Sequence, residues 1–335
     1  VIYDKASGYD TNVAHPNIVR LAVKLYNQQS NNLLTPKELG WIEQGAIDED
    51  TPNRWMNHFF DPVYNRGFKG NFLTAKQWAK DILAQEKYSL GDYSWQRAIY
   101  NYQKGNKEEA FRGLGHILHL IADVGVPAHT RNDAHVLGDS FEQYVLKNWN
   151  IINNTVNARH ISVYRLEDVF DKLATYTNNN FFSDNTVGST KYNLPDINNL
   201  RLEGSYYINT STGPDNKVLF VTSSIWSDKL KIKTLNNIVL RNYARQLLPK
   251  VVGNISGVIE LFFYEVEFGQ RYELEEKETG VLSWVDSILG NIVSGAKYLF
   301  DKGKSVNIDI ARGGEVSTLE PVFSLAVLRK LFFDI

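Results

Sequence analysis

The sequence predicts a mainly α protein: a helical bundle with a short β hairpin or loop insertion and a C-terminal extension. Three observations carry that expectation. Apolar residues recur at helical spacing through most of the chain up to Pro249. A polar stretch rich in Asn, Thr, Gly and Ser, from Ser183 to Asn216, interrupts the rhythm. After Gly269 the character changes again, which divides the chain into residues 1–268 and an extension over 269–335.

The elements follow in order. "HPNIVRLAVKLYNQQ" places Ile18, Leu21, Ala22 and Leu25 on one helical face, and "TAKQWAKDILAQEKYS" and "SWQRAIYNYQKGN" read as two further helices. A longer helix is expected from Asn106, its N-cap, with Glu109 completing a capping box; Gly125 and Pro127 end it. The next helix begins near Asp139 and runs through "SFEQYVLKNW". "GSYYINTSTGPDNKVLFV" holds two short β-like runs around a Gly-Pro-Asp-Asn turn. Helical spacing returns from Asn236, and Pro249 should kink or divide that segment. In the extension, Val281, Trp284, Ile288, Ile292 and Leu299 lie along one stripe, more suited to packing on protein than to a membrane.

Composition narrows the chemistry. The chain of 335 residues is 43% hydrophobic with a formal charge of −2, so no broad basic surface for nucleic acid is expected. The absence of cysteine removes disulfides, thiolate ligands and cysteine nucleophiles together, and any zinc must be held by His, Asp and Glu. No stretch approaches the ~20 apolar residues of a membrane-spanning helix.

Four of the seven histidines fall within Gly115–His135, "GHILHLIADVGVPAHTRNDAH". His119 and Asp123 are four residues apart on the expected helix, on one face and close enough to share a metal ion. A lone pair at this spacing is usually a helix-surface contact. Here a helix stop follows, then His129, His135, Asp139 and Glu142. Such a set suits two neighbouring zinc ions, with carboxylates able to bridge them. Upstream, "GAIDEDTPNRWMNHFFDP" joins the acidic run Asp48–Asp50 to His58, and His15 stands before the first helix.

The order His15, Asp50, His58 in "HFFDP", His119-x-x-x-Asp123 and His129 in "VPAH" resembles the zinc-dependent phospholipases C of bacteria, which are related to the S1/P1 nucleases; the resemblance covers roughly residues 10–265. It implies a phospholipase C/P1 nuclease-like bundle holding two or three zinc ions. Asp50, His58 and His119 would meet at one zinc, Asp123 would bridge it to another, and His129 with a later His and acid would hold the remaining ion. The later pair is read as His135 with Glu142, with Asp139 as the alternative acid. His15 would belong to a site shared with the chain's amino terminus, usually a tryptophan; residue 1 here is Val, which leaves that third site altered or empty. His116 and Asp61 are placed behind the ligands, Asp61 holding its turn or orienting His58. His160 reads as ordinary surface.

The function so implied is hydrolysis of a phosphodiester by zinc-activated water, with Asp50 as general base. A phospholipid head group is the favoured substrate, by the "HF-x-DP" wording; an S1/P1-type single-strand nuclease and a non-catalytic, metal-stabilised binding protein are the alternatives. Peripheral membrane contact, no stable nucleic-acid partner, and a secreted or extracytoplasmic location after removal of a signal peptide are further expectations.

Overall fold

A computed structural model describes residues 14–51, 54–88, 91–135, 138–210, 217–224 and 231–279, with side chains in the last helix to residue 267. Residues 1–270 and 271–335 form two compact units, and the architecture below is that of the first. It is mainly helical. The α-helices are α1 (Ala14–Asn27), α2 (Pro36–Asp48), α3 (Ala75–Trp78), α4 (Ile82–Tyr88), α5 (Trp95–Gln103) and α6 (Lys107–Asp123). They continue with α7 (Pro127–Thr130), α8 (Ser140–Lys147), α9 (Trp149–Ile152), α10 (Leu166–Asn180) and α11 (Asn237–Thr279).

The centre of the bundle is α6. From Gly113 to Asp123 every residue is buried, so this helix has no solvent face along its second half. Its apolar side chains join those of α1, α5, α10 and α11 in one core, to which α11 contributes Tyr243, Leu247, Val251, Ile255 and Phe262.

The polar insertion folds into an antiparallel meander, larger than the expected hairpin: β1 (Arg201–Glu203), β2 (Tyr206–Asn209), β3 (Lys217–Ser224) and β4 (Lys231–Thr234) in sequential order. Tyr207 pairs with Phe220 across β2 and β3, and their rings stack 4.4 Å apart.

Several expectations are corrected by local geometry. The run from Thr74 is two helices, because the Trp78 carbonyl accepts from the Gln85 side chain and that of Ala79 from Trp95 N–H, while Asp81 caps the new helix at Ala84 N. Asn106 is the N-cap of α6 without a side-chain bond. The Asn106 N–H is already given to Asn101, so Glu109 has no capping box to complete. Pro249 lies inside α11 and does not divide it; its flanks Leu248 and Val251 are buried in the core. Residues Asn237–Glu267 are long and apolar enough to cross a membrane, contrary to the reading of the sequence, but two thirds of the apolar window is buried in the protein, as befits a core helix. The stripe from Val281 to Leu299 lies outside the described residues.

His160 is not plain surface. Its Nδ1 lies 2.9 Å from Ser256 Oγ and its Nε2 3.0 Å from Glu260 Oε2, both on α11. Beside it, Ile161 N–H donates to Gly253 O, and a Cβ on Gly257 would lie 1.9 Å from Ile161 O. This segment is seated on the helix through two glycines.

Candidate metal centre

Two glycines bring α2 and α6 into backbone contact. A Cβ on Gly115 would stand 2.1 Å from the Ile42 carbonyl oxygen, and one on Gly45 2.0 Å from that of Arg112. No L side chain fits at those separations. The close approach delivers the Ala46 carbonyl to His119 Nδ1 at 2.7 Å, and Asp50, just past the end of α2, stands beside the same ring. His119 therefore has its Nδ1 proton bound to backbone and its Nε2 turned inward.

Asp123, one turn further along α6, is the hub. His58 Nδ1 lies 2.8 Å and His119 Nε2 3.1 Å from its Oδ2, His129 Nδ1 is 3.7 Å from the same oxygen, and His15 Nε2 is 3.4 Å from Oδ1. The His15 ring stacks on His119 at 3.7 Å. Asp50 Oδ1 completes this side, 3.7 Å from His58 Nδ1 and 3.8 Å from His119 Nε2.

Beyond the helix stop, Pro127 opens the short α7 and presents His129. The His129 carbonyl accepts the Phe60 N–H, which ties the "HFFDP" segment to α7. Phe59 stacks flat on the His129 ring at 4.7 Å. His135 binds the Asp133 carbonyl through Nδ1 at 2.8 Å, leaving Nε2 3.9 Å from Glu142. Glu142 also lies 3.3 Å from His129 Nε2. Asp139 takes the other role: it caps α8 by accepting the Glu142 N–H. Helix and loop thus bring three groups together, each with ligand atoms within 4.8 Å: His15, His119 and Asp123; Asp50, His58 and His119; His129, His135 and Glu142.

The electrostatics fit a cation. Buried carboxylates require positive charge beside them. Despite burial, the rings of His119, His129 and His58 hold Asp123 well below the usual carboxylate range. Burial lowers the His58 ring, but Asp123, Glu49 and Asp50 outweigh it and push its pKa to about 10. Burial and the neighbouring His119 keep His15 far below its ordinary value, and burial lowers His129 as well. Nε2 of His119 and Nε2 of His129 are buried and face the carboxylates of Asp123 and Glu142 rather than backbone. Imidazoles turned inward toward buried carboxylates, their protons standing where a cation's charge would stand, are a donor set for a divalent ion.

Not every singled-out residue points into the cluster. His116 stacks on Tyr93 at 4.0 Å and gives Nδ1 to Glu49 at 2.5 Å, behind the site. Asp61 does not reach His58; it pairs with Arg66, accepts from Val63 and Tyr64 N–H and receives the Tyr192 hydroxyl, so it holds the turn. Asp48 binds Gln44 and Arg112 at the surface. Glu49, by contrast, is wholly buried, although in the sequence it is only one member of an acidic run. Among the described residues, the non-glycine positions with positive φ are Asn65, Lys69, Asn132 and His135. Lys69 N–H donates to Asn132 Oδ1, and Asn132 Nδ2 donates to Gly67 O.

No protein-family model matches this chain, and no curated protein matches it in sequence. Among solved structures, an alpha toxin from Clostridium absonum aligns with a TM-score of 0.47 at 15% identity, covering 78% of this chain and 65% of that one. An alpha-toxin of Clostridium perfringens, isolated from an avian strain, aligns at 0.46 and 15%, covering 79% and 65%. The chain thus spans less than two thirds of the length of those toxins. The reading of the site rests on its own geometry.

Proposed function

We propose that the protein is a zinc-dependent phosphodiester hydrolase, most simply of phospholipid head groups. The single observation that carries the reading is the convergence of His15, Asp50, His58, His119, Asp123, His129, His135 and Glu142, from separate elements, into three abutting donor groups. His58, His119, Asp50 and Asp123 would hold one ion; His129, His135 and Glu142 would hold a second; His15 with Asp123 would contribute to a third. Bound there, zinc supplies Lewis acidity toward phosphoryl oxygens and makes water a nucleophile near neutral pH.

The chain's own residues do the rest. The carbonyls of Ala46 and Asp133 fix the His119 and His135 tautomers, so each ring meets the centre with Nε2. Asp50 stands at the mouth: its side chain is 15% exposed, against 2% for Asp123 and 0% for Glu142. Burial also raises its pKa, which suits a carboxylate taking a proton from attacking water. Of the aromatics in "RWMNHFFDP", Phe59 and Phe60 are buried, and the half-buried Trp55, edge-on to Phe68 at 5.6 Å, is free to meet a substrate.

The test uses the zinc-loaded full chain on phosphatidylcholine vesicles and, separately, on single-stranded DNA. Release of the phosphorylated head group is expected, with Asp50→Asn, which weakens a donor and removes the base together, lowering kcat about 10²- to 10⁴-fold at saturating zinc. Cleavage of the DNA alone would move the protein to the nuclease reading. Turnover of neither by a chain that holds one saturated ion would make it a metal-stabilised binding protein.

A further inference from the structure

Glu49 lies just outside the donor set and is aimed at it from behind. Its Oε2 receives Arg54 Nε at 2.7 Å and His116 Nδ1 at 2.5 Å, and its Oε1 receives Trp78 Nε1 at 2.9 Å. The same Oε1 faces His58 Nε2 at 3.5 Å, and that nitrogen has no hydrogen-bonded partner among the described residues. All of these groups are buried. The His58 ring is therefore turned differently from its neighbours. His119 and His135 give Nδ1 to a backbone carbonyl and present Nε2, whereas His58 presents Nδ1 to Asp123 and Asp50 and turns Nε2 away, toward a fixed carboxylate.

We propose that Glu49 is the positioning residue of the His58 metal site: it takes the Nε2 proton, so that the Nδ1 lone pair faces the cation. This deepens the zinc reading above and rests on it. A carboxylate behind a ligating imidazole fixes its tautomer and orientation and raises its basicity, and removing such a partner typically costs 10- to 100-fold in metal affinity. Three donors hold the carboxylate in place, so it is a fixed acceptor rather than a mobile one. Arg54, which also stacks over Trp78 and donates to Gln85, supplies the balancing positive charge. Trp78 and His116 steady Glu49 without touching a ligand.

The test is a Co2+ titration of the full chain, read by the visible absorption of the bound ion, with Zn2+ affinity measured by competition against a chromophoric chelator. Glu49→Gln keeps the shape but replaces the charged acceptor. It should weaken one Co2+ equivalent 10- to 100-fold and change that ion's absorption bands, leaving the other equivalents untouched. Gln85→Met, which loosens the same network at Arg54 and Trp78 O without touching Glu49, should lower thermal stability yet keep the wild-type affinity and spectrum. Should Glu49→Gln fail to fold, because Arg54 is left buried without its partner, Glu49→Gln/Arg54→Met removes both charges and should show the same selective weakening. Wild-type affinity and spectrum in the folded Glu49 variant would overturn the proposal. A wild-type chain that takes up no Co2+ would overturn the zinc reading itself, a result distinct from the first.

Discussion

Asp123 presents two oxygens to four imidazoles, and that economy explains why its environment resists protonation so strongly. Its role as the meeting point was legible, since the His-x-x-x-Asp spacing fixes two side chains on one helix face. Glu49 was not: it sits in "DED", where burial alone separates a hub from its solvated neighbour Asp48, and spacing carries no trace of burial. Lys217 is another buried ion with no sequence signature. It gives Nζ to Asn180 at 2.7 Å under the Tyr176 and Phe181 rings, and burial, with Lys250 nearby, lowers its pKa to about 8. The unfolded chain, with a lysine of ordinary pKa near 10.5, binds more protons than the folded one between those values. Stability should therefore rise as pH climbs from about 8 to 10.5 and be lost as pH falls through 8. Measured as the urea midpoint relative to Lys217→Met, the difference should shift in favour of wild type over that window. A flat difference would count against a native ammonium destabilised by burial.

At the scale of elements, the site depends on how closely α2 and α6 approach. Helix α2 has little signature in the sequence, because its buried face is made of Ile42, Gly45 and Ala46, too small a stripe to register as apolar periodicity. The same smallness is what admits the backbone of α6. Gly115→Ala tests this. On an isolated helix that change would stabilise by about 1 kcal/mol; here its methyl meets the Ile42 carbonyl, and overpacking of this kind typically costs 1–3 kcal/mol. A lower thermal midpoint with weaker zinc binding is expected, since separation of the helices pulls Ala46 O off His119. A midpoint raised by the substitution would refute the backbone contact. The hairpin insertion was visible in the polar composition of 183–216, but its extension to four strands was not: β1 and β4 are short and largely exposed, without alternation to mark them.

For the whole molecule, donor groups lie at positions from 15 to 142, on α1, the end of α2, a loop, α6, α7 and α8. Ions shared out among these groups would tie distant parts of the chain together, and an ion that binds the folded state alone stabilises it by RT ln(1 + [L]/Kd), about 2.7 kcal/mol at a hundredfold excess over Kd. Zinc should raise the midpoint in scanning calorimetry, and a strong chelator should reverse the shift. An unchanged midpoint at saturating zinc would mean that the cluster does not hold the ion. Mainly α architecture was legible at this scale because the core helices are long and periodic. How they cross was not, because glycine contacts leave no hydrophobic signal.

The left-handed residues narrow what the chain can carry at those positions. Lys69 and His135 hold φ values of 52° and 29°, and Asn65 and Asn132 adopt the same hand. A lysine without asparagine's tolerance for that region stays there only because its surroundings dictate it, at roughly 1–3 kcal/mol. Position 69 is thereby narrowed to residues at ease in that hand: glycine or asparagine would sit there at lower conformational cost than lysine does.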